Sequence, residues 1–290
     1  MKRLLTIQDL SCVGQCSTTV ALPLVSACGV ECAVLPPAML SNHTASGFKG
    51  WSLRDLTDEM TKVESKWVEQ HIKFDAFYTG YVCESHIDPI LSIMRTCANP
   101  GAIRIVDPAM ADNGTLYRGF AADFPSRMAR LCKGADYLLP NLTEAALLTG
   151  EAPVFFGAGA ESGAGACRGA GASRPRREDI ERLISKLHAL GVRNVILTGV
   201  SFNGTELGTA VSDGKSVKYD FNLRNPRNSH GTGDVFASVF AGAILRGKSA
   251  FEAASLAADI VCAAIEATDP DHWYGVSFEK VIPALIAALQ

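Results

Sequence analysis

Short apolar runs alternate with helical patterns along most of this 290-residue chain. The apolar runs cover residues 4–7, 32–35, 75–78, 103–106, 137–139 and 195–197, and helical patterns lie at 17–28, 87–96, 125–132 and 143–148. Parallel strands need crossover helices, and those helices cover both faces of the sheet. The alternation therefore predicts an α/β fold with a mostly parallel central sheet and helices on both faces.

The C-terminal part of the chain has a different pattern. Two strand-like runs at 208–211 and 216–219 flank Asp213-Gly214, a dipeptide typical of a two-residue hairpin turn. Helical patterns follow at 234–245, 251–268 and 278–289. The alanine-rich stretch 253–265 is apolar on all sides, which predicts burial against the sheet. We therefore expect a single domain over residues 1–290.

Composition excludes several classes of function. The net charge is −3 and hydrophobic residues make up 48%, so no basic surface for nucleic acid is expected. No apolar stretch reaches the 18 residues typical of a membrane span. The nine cysteines form no C-x-x-C pair and no signal peptide precedes them, which favours a reducing cytoplasm and buried thiols. Residues 157–173 are almost all small, and predict a flexible insert or, less favoured, a mobile flap.

The strongest local motif is Ser-His-Gly-Thr-Gly-Asp at residues 229–234, directly before an apolar helix. Glycines allow close backbone approach, and the N–H groups at a helix start bind anions. Asp234 is then either a base that activates a nucleophile beside a phosphoryl group or a helix cap, and the residues alone favour neither. No G-x-x-x-x-G-K-[ST] is present, so this is no P-loop.

Polar residues follow most of the predicted strands. They are Gln8-Asp9, Asp107, Asn141 and Thr198-Gly199. In an open parallel sheet, ligands bind outside the carboxyl ends of the strands. Turns are polar in any case, which accounts for about half of this set.

Four motifs in this order resemble the ribokinase-like superfamily and, within it, the vitamin B6 kinases. They are S-N-H-T at 41–44, T-G-Y at 79–81, N-x-x-E at 141–144 and G-T-G-D at 231–234. The resemblance covers nearly the whole chain apart from the Gly/Ala insert. It implies a three-layer sandwich and transfer of phosphate from Mg·ATP to the 5′-hydroxymethyl group of a B6 vitamer. It also implies a homodimer and help from K⁺.

The resemblance implies roles for the catalytic and nucleotide residues. Asp234 would be the general base, and the backbone of Gly231, Thr232 and Gly233 would hold the developing charge. Nucleotide contacts would come from six residues besides Thr232, namely Asp107, Tyr117, Asn141, Glu144, Thr198 and Gly199. Asp107 and Glu144 would also act on Mg²⁺, Glu144 through water.

On the substrate side, the resemblance implies a hydrogen bond from Thr44 to the ring's polar edge and packing by Tyr81. Ala38 and Leu40 would supply apolar contacts. Asp9 departs from the family, in which many members carry serine there. A carboxylate at this position would accept a hydrogen bond from the ring hydroxyl or the pyridinium nitrogen. An aspartate in place of serine at position 9 therefore affects which ring the protein prefers.

Three rival functions remain. A hydroxymethylpyrimidine kinase shares the fold, but its members often carry cysteine where Asp234 stands. Sugar kinases carry an early G-G element and a β-lid, whereas Gly14 is alone here and no early hairpin is expected. A non-catalytic pyridoxal phosphate-binding protein predicts a lost base, yet Asp234, Glu144 and Asn141 are all present.

Overall fold

The structure is a computed structural model that describes residues 1–44, 47–151, 174–227 and 229–290. These residues form two compact units, Met1–Ile105 with Ser229–Gln290, and Val106–Asn228. The Gly/Ala segment 157–173 lies outside the described residues, so the prediction of a flexible insert stays a prediction.

The strands of the described residues are numbered in chain order. They are β1 (Arg3–Ile7), β2 (Leu10–Ser11), β3 (Glu31–Val34), β4 (Ala38–Leu40), β5 (Leu53–Asp55), β6 (Phe74–Thr79), β7 (Ala98–Val106), β8 (Ala111–Asp112), β9 (Thr115–Leu116), β10 (Tyr137–Leu138), β11 (Asn194–Val200), β12 (Glu206–Ser212) and β13 (Val217–Leu223).

The helices are numbered in the same way. They are α1 (Thr18–Ala27), α2 (Thr57–Glu69), α3 (Glu84–Thr96), α4 (Phe124–Cys132), α5 (Leu142–Leu148), α6 (Arg177–His188), α7 (Thr232–Leu245), α8 (Ala250–Ala267) and α9 (Ile282–Ala288), the last preceded by a 3₁₀ turn at Phe278–Val281. Within the described ranges, no helix is long and apolar enough to cross a membrane.

In the first unit, the main sheet has the order β7-β6-β1-β3. β1 pairs in parallel with both neighbours, and Leu4 lies opposite Cys32 on one side and Ala76 on the other. Leu4, Leu5 and Ile7 are fully buried, as expected for a strand covered on both faces. The predicted α/β class with a mostly parallel sheet is confirmed. The parallel pairing brings the ends of β1 and β6 to one edge of the sheet.

In the second unit, β10 and β11 are parallel, and β11, β12 and β13 continue as antiparallel neighbours. The hairpin between β12 and β13 turns at Asp213-Gly214, as the sequence predicts, and Gly214 has a φ of 84°. The Asp213 carboxylate accepts hydrogen bonds from the backbone N–H groups of Lys215 and Ser216 at 2.9 and 3.0 Å. This turn chemistry fixes the register of the hairpin.

Two expectations about elements are wrong. The sequence predicts no early hairpin, yet β4 and β5 pair antiparallel, and β2 joins them in a small sheet. All three residues of β5 are exposed, so no alternation of polar and apolar residues marks this strand. The second wrong expectation concerns α8, which is buried along one stripe only, whereas α7 is buried almost throughout because α1 and α8 both pack against it. The helical pattern predicted at 278–289 is confirmed, with a 3₁₀ first turn before α9.

Candidate active site

The glycine-rich motif before α7 forms the N-terminus of that helix. Gly231 is the N-cap residue with a φ of 77°, which favours glycine, and Thr232, Gly233 and Asp234 form the first turn. A Cβ on Gly231 would collide with the carbonyl oxygen of Gln15. The first N–H groups of a helix have no partner within it. The motif therefore presents backbone N–H donors at a helix start, where anions bind, and places the Asp234 carboxylate in the same turn.

Asp234 lies in the same unit as a second buried carboxylate, Asp9. The pKa of Asp234 is raised to about 7: burial raises it most, the backbone N–H of Ser17 lowers it, and the charge of Asp9 raises it. A carboxyl group with a pKa near 7 is poised to accept a proton at neutral pH. Strongly perturbed carboxyl groups of this kind are common at catalytic sites.

Asp9 follows the end of β1, and only 5% of its surface is exposed. The Ser11 hydroxyl donates a hydrogen bond to the Asp9 carboxylate at 2.9 Å. Burial raises the pKa of Asp9, while the side chains of Ser17 and Ser11 lower it. Burial raises the pKa of the Tyr81 phenol most, and the nearby Cys83 and then the charge of Asp9 raise it as well. The structure thus brings Asp9, Tyr81 and Asp234 into one neighbourhood.

The apolar residues predicted for the ring site lie on one face of β4. Ala38 and Leu40 are each 3% exposed, whereas Met39 between them points outward and is 45% exposed. Thr44 is exposed and ends this described range. The backbone N–H of His43 donates to the carbonyl of Val13 at 2.8 Å, which fastens the S-N-H-T segment to the loop after β2.

The sequence analysis missed the loop between β2 and α1. Gln15 and Ser17 have φ values of 43° and 48°, in a region that side chains other than glycine rarely adopt. Ser17 acts on both Asp9 and Asp234, and Gln15 contacts Gly231. Neither residue is glycine or asparagine, so no residue type marked the turn. The sequence signal for this turn is limited to the preceding Gly14, whose φ is 146°.

In the second unit, the N-x-x-E motif forms a capping box at the start of α5. The Asn141 side chain accepts from the Glu144 backbone N–H at 2.9 Å, and the Glu144 carboxylate accepts from the Asn141 N–H at 2.9 Å. Glu144 also accepts from the N–H groups of Met110 and Ala111 at 3.1 and 3.4 Å. Asn141 donates to the Ala111 carbonyl at 2.8 Å. The motif therefore holds the loop that follows Asp107.

Glu144 is only 3% exposed, and both of its carboxylate oxygens accept backbone N–H groups. Burial raises its pKa, while the three N–H donors oppose that rise because they favour the charged form. This carboxylate therefore has a structural role, whereas its predicted action on a metal stays a prediction.

The other nucleotide-side residues lie around the same unit. Asp107 follows β7 and is 9% exposed, and Tyr117 is 40% exposed, with its backbone N–H bonded to the Met110 carbonyl at 2.8 Å. Thr198 pairs with Asn141 through an isolated parallel bridge. Gly199 follows at a bulge in β11, with a φ of 78° and open space where a Cβ would point. Asn141, Thr198 and Gly199 are thus brought together at the ends of adjacent strands.

The oxygen donors of this unit fit the chemistry of Mg²⁺. Mg²⁺ keeps most of its water and uses one or two carboxylates together with substrate phosphates. Among the described residues, no group of three or more His, Cys, Asp or Glu side chains could hold a metal by itself. Asp107 at its strand end fits the role of single carboxylate, and Glu144 fits only a contact through water because its oxygens already accept three N–H groups.

Comparison with known proteins adds evidence of a different kind. A family model for phosphomethylpyrimidine kinase matches residues 169–276. A pyridoxal kinase of Dictyostelium discoideum is 25% identical over 266 residues, covering 84% of this chain and 78% of its own. A hydroxymethylpyrimidine/phosphomethylpyrimidine kinase of Rhizobium meliloti is 26% identical over 238 residues, covering 80% of each.

Solved structures of two proteins illustrate matches over almost the whole chain. A candidate phosphomethylpyrimidine kinase from Bacteroides thetaiotaomicron is 30% identical, with a TM-score of 0.85 over 98% of this chain and 93% of its own. A second crystal form of that protein, 29% identical to this chain, contains pyridoxal. Pyridoxal kinase from Lactobacillus plantarum is 29% identical, with a TM-score of 0.84 over 99% and 97%. The chain therefore belongs to the phosphomethylpyrimidine kinase family, shares the ribokinase-like fold of pyridoxal kinases, and is an ATP-dependent kinase.

Proposed function

We propose that this kinase transfers the γ-phosphate of ATP to the 5′-hydroxymethyl group of pyridoxal, pyridoxine or pyridoxamine. One observation carries the proposal: Asp234, with a pKa raised to about 7, lies close to the buried Asp9, and the charge of Asp9 also acts on Tyr81. A base and a polar contact for an aromatic ring therefore share one neighbourhood. The pyridoxal bound to the Bacteroides thetaiotaomicron relative supports the same class of substrate.

Asp234 would accept the proton of the substrate hydroxyl as that oxygen attacks the γ-phosphate. Its carboxylate must be ionised to do so, and the Ser17 backbone N–H favours the ionised form. The N–H groups of Gly231, Thr232 and Gly233 would hold the charge that develops on the transferred phosphoryl group. Positioning and these donors would supply most of the catalysis, because phosphoryl transfer needs little covalent chemistry from the protein.

Asp9 would select the ring. Its buried carboxylate has two hydroxyl donors, Ser11 and Ser17, and carboxylate oxygens can accept further hydrogen bonds. A ring hydroxyl or a protonated ring nitrogen would supply such a donor. Thr44 would bind the ring's polar edge, Tyr81 would pack against the ring, and Ala38 and Leu40 would supply apolar contacts.

The nucleotide would be bound by Asp107, Tyr117, Asn141, Glu144, Thr198, Gly199 and Thr232. Mg²⁺, when bound with ATP, would offset the charge of the phosphate oxygens. Asp107 is the residue we propose to hold it, while Glu144 and Asn141 keep the loop at 110–114 in place through their capping box and the Ala111 carbonyl. The proposed homodimer, K⁺ requirement and cytoplasmic location rest on the sequence resemblance and the cysteine pattern.

A second candidate is a hydroxymethylpyrimidine kinase. The family model and the Rhizobium meliloti relative favour it, since both carry that description. Its substrate is also a small aromatic alcohol, so the same base and backbone donors would serve. The S-N-H-T segment and the aspartate at 234 favour the B6 vitamers instead.

The test is a panel of alcohols with Mg·ATP. It compares kcat/KM for pyridoxal, pyridoxine, pyridoxamine, hydroxymethylpyrimidine and ribose by ADP release. We expect a B6 vitamer to exceed hydroxymethylpyrimidine at least tenfold, or about 1.4 kcal/mol of transition-state binding. A higher value for hydroxymethylpyrimidine would replace the proposed substrate with the second candidate. Turnover of none of them, by a folded protein that binds ATP, would favour a binding role.

A further inference from the structure

Gln15 lies in the loop between β2 and α1 and has an unusual backbone. Its φ of 43° is in the left-handed region, which costs a non-glycine residue free energy unless the surroundings hold it there. Such strain is most often retained at functional sites.

Every polar group of the Gln15 side chain is bound. Its Nε2 donates to both carboxylate oxygens of Glu279 at 2.8 Å, and its Oε1 accepts from the Nε2 of His272 at 2.5 Å. Glu279 lies in the 3₁₀ turn, and His272 lies between that turn and α8. Gly275 packs against the same side chain, because a Cβ there would collide with the Gln15 side chain. Two partners from the C-terminal segment thus fix one residue that lies more than 250 positions away.

The main chain of Gln15 faces the proposed active site. Its carbonyl oxygen lies against the α-carbon of Gly231, so close that no side chain would fit there. Gly231 is the N-cap residue of α7, and its φ of 77° sets the direction of the first-turn N–H groups. A shift of the Gln15 backbone would therefore move the donors that the proposed function uses.

We propose that Gln15 is a positioning residue: held by Glu279 and His272, it supports Gly231 and aligns the anion-binding first turn of α7. The proposal rests on the proposed role of residues 231–233 in phosphoryl transfer. Preorganised donors contribute to catalysis only when they already point at the developing charge. We call the contacts of Gln15 with Glu279 and His272 the Gln15 clamp. Loosening the clamp therefore lowers kcat and leaves substrate binding, which other residues provide, almost unchanged.

The test exchanges the amide of Gln15 and the carboxylate of Glu279. Gln15→Glu places a carboxylate against Glu279, and the two like charges repel at pH 8. We expect kcat for pyridoxal to fall about tenfold with KM changed less than twofold, a smaller loss than the roughly 10²–10³ seen when a donor is removed outright. Glu279→Gln alone still accepts from Gln15 and should lose less than about threefold. The double variant Gln15→Glu/Glu279→Gln restores a donor–acceptor pair and should return kcat to that of Glu279→Gln.

A matched control lies on the same turn. Lys280 donates to the Ala267 carbonyl at 2.9 Å and to Asp269 at 3.1 Å, and it has no bond to Gln15. Lys280→Ala loosens the C-terminal segment without touching the clamp and should keep kcat of the wild type. Amide hydrogen exchange at Gly231 and Gly233 should be faster in Gln15→Glu and return to normal in the double variant, whatever alcohol is the substrate.

Several results would overturn the proposal. They are a folded Gln15→Glu enzyme with wild-type kcat, a double variant as impaired as Gln15→Glu, or a Lys280→Ala enzyme whose kcat falls as much as that of Gln15→Glu. If Gln15→Glu does not fold, Glu279→Ala, at an exposed position of the 3₁₀ turn, tests the proposal instead. We expect its kcat to fall threefold to tenfold. An unchanged kcat would contradict the proposal. If hydroxymethylpyrimidine replaces pyridoxal as substrate, the proposed function fails, and the same kcat ratios measured on that alcohol still decide the role of Gln15.

Discussion

Two neighbouring carboxyl groups, Asp9 and Asp234, define the chemistry of the first unit. Burial raises the pKa of each, and the charge of Asp9 adds to the rise at Asp234. Keeping both ionised destabilises the folded chain, because each charge loses hydration and repels the other. Retaining an arrangement that costs folding free energy is typical of a catalytic site.

Asp234→Asn tests the base directly. The amide is almost the same size but cannot accept the proton, so we expect kcat to fall roughly 10²- to 10⁴-fold, the usual contribution of a general base. The affinity for Mg·ATP should stay nearly unchanged, because the proton moves only in the transition state. Steady-state kinetics and nucleotide titration measure the two quantities. Turnover near that of the wild type would remove Asp234 as the base.

The pH dependence of kcat/KM tests the coupling of Asp9 to Asp234. The base must be ionised, so activity should rise with pH through about 7 and fall as the carboxylate is protonated below it. Asp9→Asn removes a negative charge that raises the pKa of Asp234, so the acid limb should move to lower pH. The pH of the acid limb is compared, rather than the maximal kcat/KM, because Asp9 is also proposed to bind the ring. An unmoved limb, or one at higher pH, would contradict the coupling.

At the scale of elements, the start of α7 depends on two glycines with different surroundings. Gly231 has a positive φ and no room for a Cβ, whereas Gly233 has helical neighbours and open space where a Cβ would point. Substitutions at the two positions can therefore distinguish an effect on the stability of the helix start from an effect on catalysis.

Gly231→Ala should destabilise the protein by about 2 kcal/mol or more, because alanine strains the backbone and collides with Gln15. Gly233→Ala should leave the free energy of unfolding equal or slightly higher, since alanine favours a helix. Urea unfolding measures both. In the folded Gly233→Ala enzyme, kcat should still fall, because the new methyl group lies among the donors proposed to face phosphate. Equal stability losses in the two variants would contradict this interpretation of the turn.

The chain offers a matched pair of capping boxes at α5 and α8. Glu144 is buried and accepts three backbone N–H groups, whereas Glu252 is exposed and closes the box of Ser249. Glu144→Ala leaves buried donors unsatisfied and should cost about 3 kcal/mol. Glu252→Ala should cost only about 1 kcal/mol, as exposed caps do. Chemical denaturation of both variants measures the difference, and equal losses would show that the loop after Asp107 does not depend on Glu144.

For the whole molecule, the sequence predicted most helices and strands because their apolar residues are buried in a regular pattern. β1 and β12 lie within two residues of their predicted bounds, and β13 ends four residues beyond its predicted end. α2 was not predicted, since Met60 is its only buried residue and charged side chains hide its period. α6 was also overlooked, although Ile180, Leu183, Ile184 and Leu187 show a clear helical spacing.

The candidate site was predictable where a residue type limits the chemistry. Glycines before Asp234 and the Asn-x-x-Glu spacing both mark a helix start, and the structure places them there. The contributions of Gln15 and Ser17 were not predictable, because a positive φ at these residue types has no sequence signal and their partners are distant in the chain. For the same reason, the saturation of Glu144 by three N–H donors could not be foreseen.

The substrate is the central claim, and an internal competition tests it most directly. Equal concentrations of pyridoxal and hydroxymethylpyrimidine are mixed with limiting Mg·ATP, and the two phosphorylated products are quantified by mass spectrometry. The product ratio equals the ratio of kcat/KM values, whatever the affinity for ATP. We predict at least ten molecules of pyridoxal 5′-phosphate for each phosphorylated pyrimidine. A ratio below one would contradict the proposed function and favour the pyrimidine substrate.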